Sequence, residues 1–451
     1  MKAFLLLILA GAVLSSSCKK DSFITSGDAS VTITVDTLKY DTVFTSTGSV
    51  TQSFKIINEN RQKLRLSGVR LMGGSSSSFK MNVDGIPTTQ ASDIEIQAND
   101  SIYVFVQVKI DPSVANLPFI IRDSIQVSYN GTDRLVQLEA WGQNAHFFRD
   151  KEIVSNETWT NDLPYVILGY LHVNAGQVLA IGKGCRIYVH ANAPVVVDGT
   201  LNVNGEKDSA DRVYFLGDRL DDPYRGYPAS WPGLFFGDNS KDNVLNYAII
   251  NNAFQAVAVT NPSSTANPKL SLNQCIIDNA YDAGIIAINT SITAQNCRVS
   301  NCGKNIALGK GGPYNFTHCT VASFSNNYIN HKEPVLTLSD NLTAVFRNCI
   351  FWAEGGTLDN EISATGTTAA NVIFDHPLWK VKTAPAAVTF LQPIADAPQF
   401  DSIDVSNHYY DLHLKASSPA INAGVNTGLL IDLDGKARPV GLPDLGCFEK
   451  Q

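Results

Sequence analysis

NYAIIN (residues 246–251), QCIIDN (274–279), NCRVSN (296–301), HCTVAS (318–323) and NCIFWA (348–353) are five variants of one short phrase, aligned on Tyr247, Cys275, Cys297, Cys319 and Cys349. The four cysteines recur at steps of 22, 22 and 30 residues. One strand-sized apolar run per period in the low twenties is what a stacked solenoid needs, because a single repeat cannot bury its apolar face until a neighbour lies on it. Alternation within each phrase turns the Tyr or Cys inward, together with the residue two later: Ile249, Ile277, Val299, Val321 and Phe351. Asn251, Asn279 and Asn301 follow two positions on. Asparagine tolerates the left-handed backbone of a sharp bend, and stacked asparagines can bond one another from coil to coil.

Working outward, GYLHVNAGQVLAIGKGCRIYVHANAPVVVDGTLNVNG (169–205) holds five strand-sized apolar runs, each closed by Gly, Asn or Asp, and WPGLFF (231–236) continues the texture. From about Tyr165 to Gln451 the chain resembles the right-handed parallel β-helix of the pectate-lyase-like superfamily. SPAINAG (418–424), DLDGKARPVG (432–441) and PDLGCFE (443–449) resemble the closing segment of bacterial β-helix proteins. That resemblance implies that they cover the last coil, whose open strand edges are an aggregation hazard.

Before this region the texture is different. From Ala29 to Asn144 the apolar residues alternate with period two; in SIYVFVQVKI, Ile102, Val104, Val106, Val108 and Ile110 share one face. Val31–Val35, Ser53–Ile57, Leu64–Leu71 and Ile125–Tyr129 read the same way. The last of these turns at Asn130-Gly131 into Leu135–Ala140, a tight-hairpin signal because both turn residues accept positive φ. Strands at this spacing imply a β-sandwich. FTSTGSVTQSFKIIN (44–58), FKMNVDG (79–85) and ANDSIYVFVQVKIDP (98–112) resemble an immunoglobulin-like domain of the abnormal-spindle/hydin type. The expected fold is therefore all-β: an N-terminal immunoglobulin-like β-sandwich over 29–144, a linker over 145–164, and a parallel β-helix over 165–451.

The first residues carry an address. Lys2, an apolar run from Ala3 to Leu14, then Ser15, Ser16, Ser17 and Cys18 read as a signal peptide (1–17), since the run is too short to span a bilayer. LSSSC resembles the lipobox of bacterial lipoproteins, which implies lipid attachment at Cys18 and a tether over 18–28. Lys19, Lys20 and Asp21 are similar to the export signal of Bacteroidetes lipoproteins and imply an outer-membrane location, at the surface or on the periplasmic face. Net charge −8 without a Lys/Arg cluster argues against nucleic acid. The sequence assigns no oligomeric state.

Eight cysteines less the lipidated one leave seven, an odd number that argues against a full disulfide framework. Stacked coils would hold the ladder cysteines about 4.8 Å apart, wider than the β-carbon spacing of about 3.8 Å that a disulfide wants. They are expected to be buried free thiols, as are Cys185 and Cys447. No paired C-x-x-C suggests a metal.

The β-helix resemblance implies a polysaccharide lyase or glycoside hydrolase as one reading, with calcium as cofactor only for a lyase. Glycoside hydrolysis needs two carboxyl groups roughly 5–9.5 Å apart. Asp278 and Asp282, with Arg298 or Lys304 on the next coil, are the catalytic candidates in the best-registered stretch, where acids are sparse. His331-Lys332-Glu333 is read as a loop. In GDRLDDPYRGYPASW (217–231), Tyr224, Arg225, Tyr227 and Trp231 are the ligand-binding candidates, weighed against a loop that buries its own aromatics. Asp432-Leu-Asp434-Gly435 is part of a calcium-loop pattern without its remaining acids, and a turn braced by Arg438 is expected instead. The favoured reading is a non-enzymatic, membrane-anchored protein whose rigid β-helix binds a polysaccharide or another envelope partner.

Overall fold

The computed structural model describes residues 22–44, 49–110, 119–368 and 371–451. The described chain is all-β and divides after Asn144 into two compact units. Cys18 and the rest of the proposed signal and lipobox lie outside the described residues.

The first unit is a sandwich of two sheets. One runs in the order Val31–Ile33, Gln52–Asn58, Asp100–Val108, Phe79–Val83, Ile86–Thr88; the other runs Thr37–Phe44, Thr132–Gln143, Phe119–Tyr129, Leu64–Leu71, Gln90–Ala91, with Ile94–Ile96 also on Leu64–Leu71. The alternating residues Ile102, Val104, Val106, Val108 and Ile110 are all buried. Asn130 (φ +47°) and Gly131 (φ +80°) make the expected hairpin, whose strands pair from Tyr129↔Thr132 outward to Phe119↔Gly142. Tyr40 Oη donates to the Val106 carbonyl at 2.6 Å, a polar bond between the two sheets inside an apolar core. The end of the expected tether is not free chain. Phe23 bridges to Lys63 and lies under the Arg65 guanidinium, and Asn130 Nδ2 donates to the Ile24 and Ser26 carbonyls. These two apolar residues follow the charged start of the segment and find a surface to lie on.

The second unit is a parallel β-helix with three faces, wound right-handed as parallel crossovers are. The first face stacks Arg186–Val189, Val213–Gly217, Ala248–Asn251, Ile276–Asp278, Arg298–Ser300, Thr320–Phe324, Ile350–Glu354 and Leu378–Trp379. The second includes Val195–Val197, Leu234–Phe236, Gln255–Thr260 and the first half of Ala283–Gln295. The third includes Thr200–Asn204, Asn243–Asn246, Leu270–Asn273 and the second half of Ala283–Gln295. Inside it, Phe316, Phe346, Phe374 and Phe390 stack with centroids 4.7–5.3 Å apart, the strand spacing made visible in rings.

The ladder cysteines are buried and unpaired, as are Cys185, Cys302 and Cys447. The register corrects the first phrase by one residue. Ile249 pairs with Ile276 and Ile250 with Ile277, so Ala248 and Ile250 point inward while Tyr247 and Ile249 are partly exposed. The bend asparagines are consequently Asn252, Asn279 and Asn301, at φ +63°, +57° and +53°, and not Asn251. A second left-handed ladder precedes the inward residue: Tyr247, Gln274, Asn296, His318, Asn348 and His376, all between +49° and +54°.

Two further expectations are corrected. The stretch 145–164 is not a linker. His146–Ile153 and Glu157–Trp159 are strands of the first coil, pairing in parallel with Tyr165–Val173 and Val178–Ile181. The closing segment does not cover the last coil. It runs back along the outer side of the first face, where Ala322, Phe324, Ile350 and Leu378 pack under Phe400, Leu412, Leu414, Leu433, Leu445 and Phe448. Those outward positions are apolar in three successive coils, and burying each contributes about 1.5–3 kcal/mol for the larger side chains, so a lateral cover is what the sequence of that face demands.

Candidate functional site

Where the first face bends into the second, the backbone must turn sharply without breaking the ladder, and the left-handed Asn252, Asn279 and Asn301 do this. Their amides are held by side chains of the neighbouring coil. Asn279 Nδ2 donates to Asn252 Oδ1 (2.8 Å), and Asn301 Nδ2 donates to Asp278 Oδ1 (3.1 Å). The same amides anchor the charged and aromatic loop, with Asn252 Nδ2 donating to the Arg225 carbonyl (2.8 Å) and Asn279 Nδ2 to that of Gly226 (3.0 Å).

These asparagines floor a groove of about 500 Å³. Its walls are Asp222, Pro223 and Arg225 from that loop, Asn326 and Tyr328 from the next insertion, and Asn407, His408 and Tyr410 from the hairpin Phe400–Asp404/Tyr409–Leu414. Along the wall Tyr328 stacks on His408 at 5.2 Å, and the row of rings continues beyond the groove to Tyr227, 4.9 Å from Tyr328, and Tyr224, 5.3 Å from Tyr227. The Arg219 guanidinium caps the row, 4.0 Å over Tyr224. Three segments far apart in sequence thus meet in one amide-floored, aromatic-walled groove.

The groove gathers some of the expected site residues and leaves others out. Arg225 and Asp278 line it, while Tyr224 and Tyr227 lie beside it, in ring contact with each other and, through Tyr227, with Tyr328. Trp231 does not join them: it is 1% exposed, and its indole Nε1 donates to the Asn251 carbonyl at 2.9 Å. That ring plugs the bend from inside. Asp282 and Lys304 form a loose pair (3.8 Å) outside the groove, where Gln255 Nε2 donates to Asp282 at 2.7 Å. Arg298 lies on the far side of Asp278, its Nη2 4.0 Å from Asp278 Oδ1, and lines a second groove. Asp278 itself accepts from Ser300 Oγ at 2.5 Å. The other acid in the groove, Asp222, is ion-paired to Arg225 Nε at 2.8 Å. His331 is buried, Nε2 3.0 Å from Glu361 Oε2, while Lys332 and Glu333 are exposed.

The second groove, about 510 Å³, shares Tyr410 with the first and is bounded by Lys207, Arg212, Arg298, Tyr409, His413 and Asp434. Both ring nitrogens of His413 meet carboxylates, Nδ1 with Asp411 at 2.6 Å and Nε2 with Asp434 at 3.0 Å. The hydrogen bond to Asp434 leads in raising the His413 pKa, and the same pair holds the Asp434 carboxyl below its usual value. Sequence reading missed this cluster because its members come from residues more than 200 apart. The one available signal was the density of Tyr, His and Asp in YYDLH (409–413). Asp432 closes its own turn, Oδ1 accepting from the Asp434 and Lys436 amides, while Arg438 ties Glu449 to Asn296. Among the described residues, no group of three or more His, Cys, Asp or Glu side chains is placed to hold a metal ion.

No family model and no curated protein matches the chain. Among solved structures, pectate lyase Pel9A is similar over 69% of this chain and 88% of its own, at 11% identity and a TM-score of 0.36. The ASH/PapD-like domain 7 of human CEP192 aligns with 29% of this chain and 94% of its own, at 8% identity and a TM-score of 0.19. A family 123 glycoside hydrolase from Clostridium perfringens, described in terms of glycolipid glycan hydrolysis, aligns with 29% of this chain at 11% identity and a TM-score of 0.20, and the match spans only 30% of the hydrolase.

Proposed function

We propose that the protein is a lipid-anchored glycan-binding component of a bacterial outer membrane, tethered through Cys18 and holding a polysaccharide in the groove floored by Asn252, Asn279 and Asn301. The observation that carries this reading is the joining of a fixed amide floor to an aromatic wall of Tyr328, His408 and Tyr410. The floor's own bonds use both N–H groups of Asn279 and one each of Asn252 and Asn301, which leaves the Asn279 Oδ1 acceptor and the second N–H of Asn252 and of Asn301 for a sugar's hydroxyls, and aromatic faces suit the apolar faces of pyranose rings. A site built on bends of a stacked solenoid is pre-organised, so little ordering cost is left to binding.

A second reading rests on Asp222 and Asp278 lining one groove, which makes a hydrolase using that pair the alternative. Binding is favoured over hydrolysis because both acids are already engaged, Asp222 by Arg225 and Asp278 by Ser300 and Asn301. The test of both is the purified chain on an array of acidic and neutral polysaccharides, with and without calcium, recording binding and the release of reducing or unsaturated ends. The expected result is binding without products, weakened about tenfold by Tyr328→Ala, a loss of about 1.4 kcal/mol. Product release abolished by Asp278→Asn or Asp222→Asn would replace the binding protein with the hydrolase.

A further inference from the structure

We infer that the end of the sandwich formed by loops 59–63, 97–99 and 130–131 is a membrane-contact surface, held against the lipid headgroups by a leash of three residues. The inference rests on the lipid anchor at Cys18 and concerns where that anchor places the first unit. A long loose chain after the anchor would leave the sandwich free to tumble, but residues 22–26 are docked. Gln62 Nε2 donates to Ser22 Oγ at 2.7 Å, and the Ile24 amide donates to the Lys63 carbonyl at 2.8 Å. Asn130 Nδ2 donates to the carbonyls of Ile24 (3.1 Å) and Ser26 (2.9 Å). The Arg65 guanidinium lies 4.3 Å over the Phe23 ring, and Ile24 packs against the sandwich core. Phe23 bridges to Lys63 in parallel, so the chain traced back from Phe23 leaves the sandwich at Ser22, beside the loop that holds Gln62. Only Lys19, Lys20 and Asp21 then separate the docked segment from Cys18, a reach of at most about 14 Å when fully extended.

That reach is shorter than the sandwich is tall. Strand Leu64–Leu71 runs from this end to the far one and is about 24 Å long, so the leash cannot bring the far loop, with Gly74–Ser76, to the lipid in place of the near one. Charge does not do the holding. Lys63 and Arg65 face Glu95 at 4.0 and 3.2 Å, and Glu59 accepts hydrogen bonds from Ser30 and Thr32. Nor does apolar insertion, which needs large apolar side chains facing the bilayer; none is exposed on the three loops. The partner is therefore the polar headgroup layer, whatever its charge, and the length of the leash sets the contact. The last strand of the sandwich, Thr132–Gln143, starts at this end and finishes at the other, so the chain leaves the sandwich at the end away from the lipid.

The test uses the full chain, produced with residues 1–21 intact in a bacterium that acylates lipoproteins and reconstituted in phosphatidylcholine vesicles doped with a nickel-chelating lipid. Arg61→Cys and Ser75→Cys, both at exposed positions, carry a nitroxide on the near and the far loop, while the free cysteines of the described chain are buried. Expected is nickel relaxation several-fold stronger at the near label than at the far one, unchanged when phosphatidylglycerol is added, and evened out by a flexible Gly/Ser insertion between Asp21 and Ser22. Undocking the leash with Phe23→Ala and Asn130→Ala together is expected to shrink the difference while the circular dichroism spectrum stays that of the folded chain. Equal relaxation at the two labels on a chain whose Cys18 is acylated, as read by mass spectrometry, overturns the contact and leaves the anchor standing. A difference that survives the insertion overturns the leash, because the loops then bind lipid by themselves. A mature chain with no acyl group on Cys18 overturns the anchored reading and the contact with it.

Discussion

Left-handed residues do most of the shaping in the β-helix. Asn279 holds φ +57° and bonds the amide above it, so its identity answers two demands at once. Alanine at this position would meet a backbone cost of about 1–2 kcal/mol and lose both side-chain hydrogen bonds, about 1 kcal/mol each, whereas glycine would lose only the bonds. Urea unfolding is expected to show Asn279→Ala as the more destabilised, and equal effects would refute the backbone argument. The sequence announced these bends through asparagine but misplaced one. Aligning the first phrase on Tyr247 as though it were the inward cysteine shifted the register by one, because Ala248 is the small buried residue there and alanine carries no label. Trp231 misled for a related reason: its ring is large and amphipathic, and only the bend behind it, with the Asn251 carbonyl facing inward, shows that it is a plug.

At the scale of strands, alternation was legible wherever one side faces water, which is why Leu64–Leu71 and Asp100–Val108 could be read almost residue for residue. The first coil was not legible, since His146–Ile153 contains a bulge that breaks its period between Arg149 and Lys151. The bulge depends on Gly169 at φ +81°, where a β-carbon would stand 2.0 Å from Asp150 Oδ1. Gly169→Ala is expected to open the first coil locally, seen as faster amide exchange over 146–159 while the Phe316–Phe390 stack stays protected; unchanged exchange would mean that the bulge tolerates a side chain. Neither groove was visible at this scale either, because each is assembled from a bend, an insertion and a hairpin that share no local pattern.

In the whole β-helical unit, the closing segment acts as a lateral strap, and two histidines set its pH limits. His318 is buried in the left-handed ladder. Its Nδ1 donates to the Asp444 carbonyl at 3.1 Å, which leaves Nε2 to accept from Asn348 (3.0 Å) and Thr427 (3.1 Å), so the ring is neutral. Burial pushes its pKa down to about 3. The unfolded chain binds that proton near pH 6.5. The stability His318 contributes is therefore complete above pH 6.5 and falls by about 1.4 kcal/mol per unit as pH drops toward 3. Asp444, whose carboxyl burial raises, opposes this only in the carboxylate range. His413 behaves in the reverse sense. Its pKa is raised by Asp434 and Asp411, so its contribution is complete below pH 6.5 and is lost as pH climbs through the raised value. The strap should be firmest near neutrality and loosen on both sides. Exchange protection of residues 409–414 and 424–449, corrected for intrinsic rates, should peak between pH 6 and 8, with His318→Asn flattening the acid limb and His413→Gln the alkaline one. A profile unchanged by either substitution would show that the strap is held by its apolar underside alone.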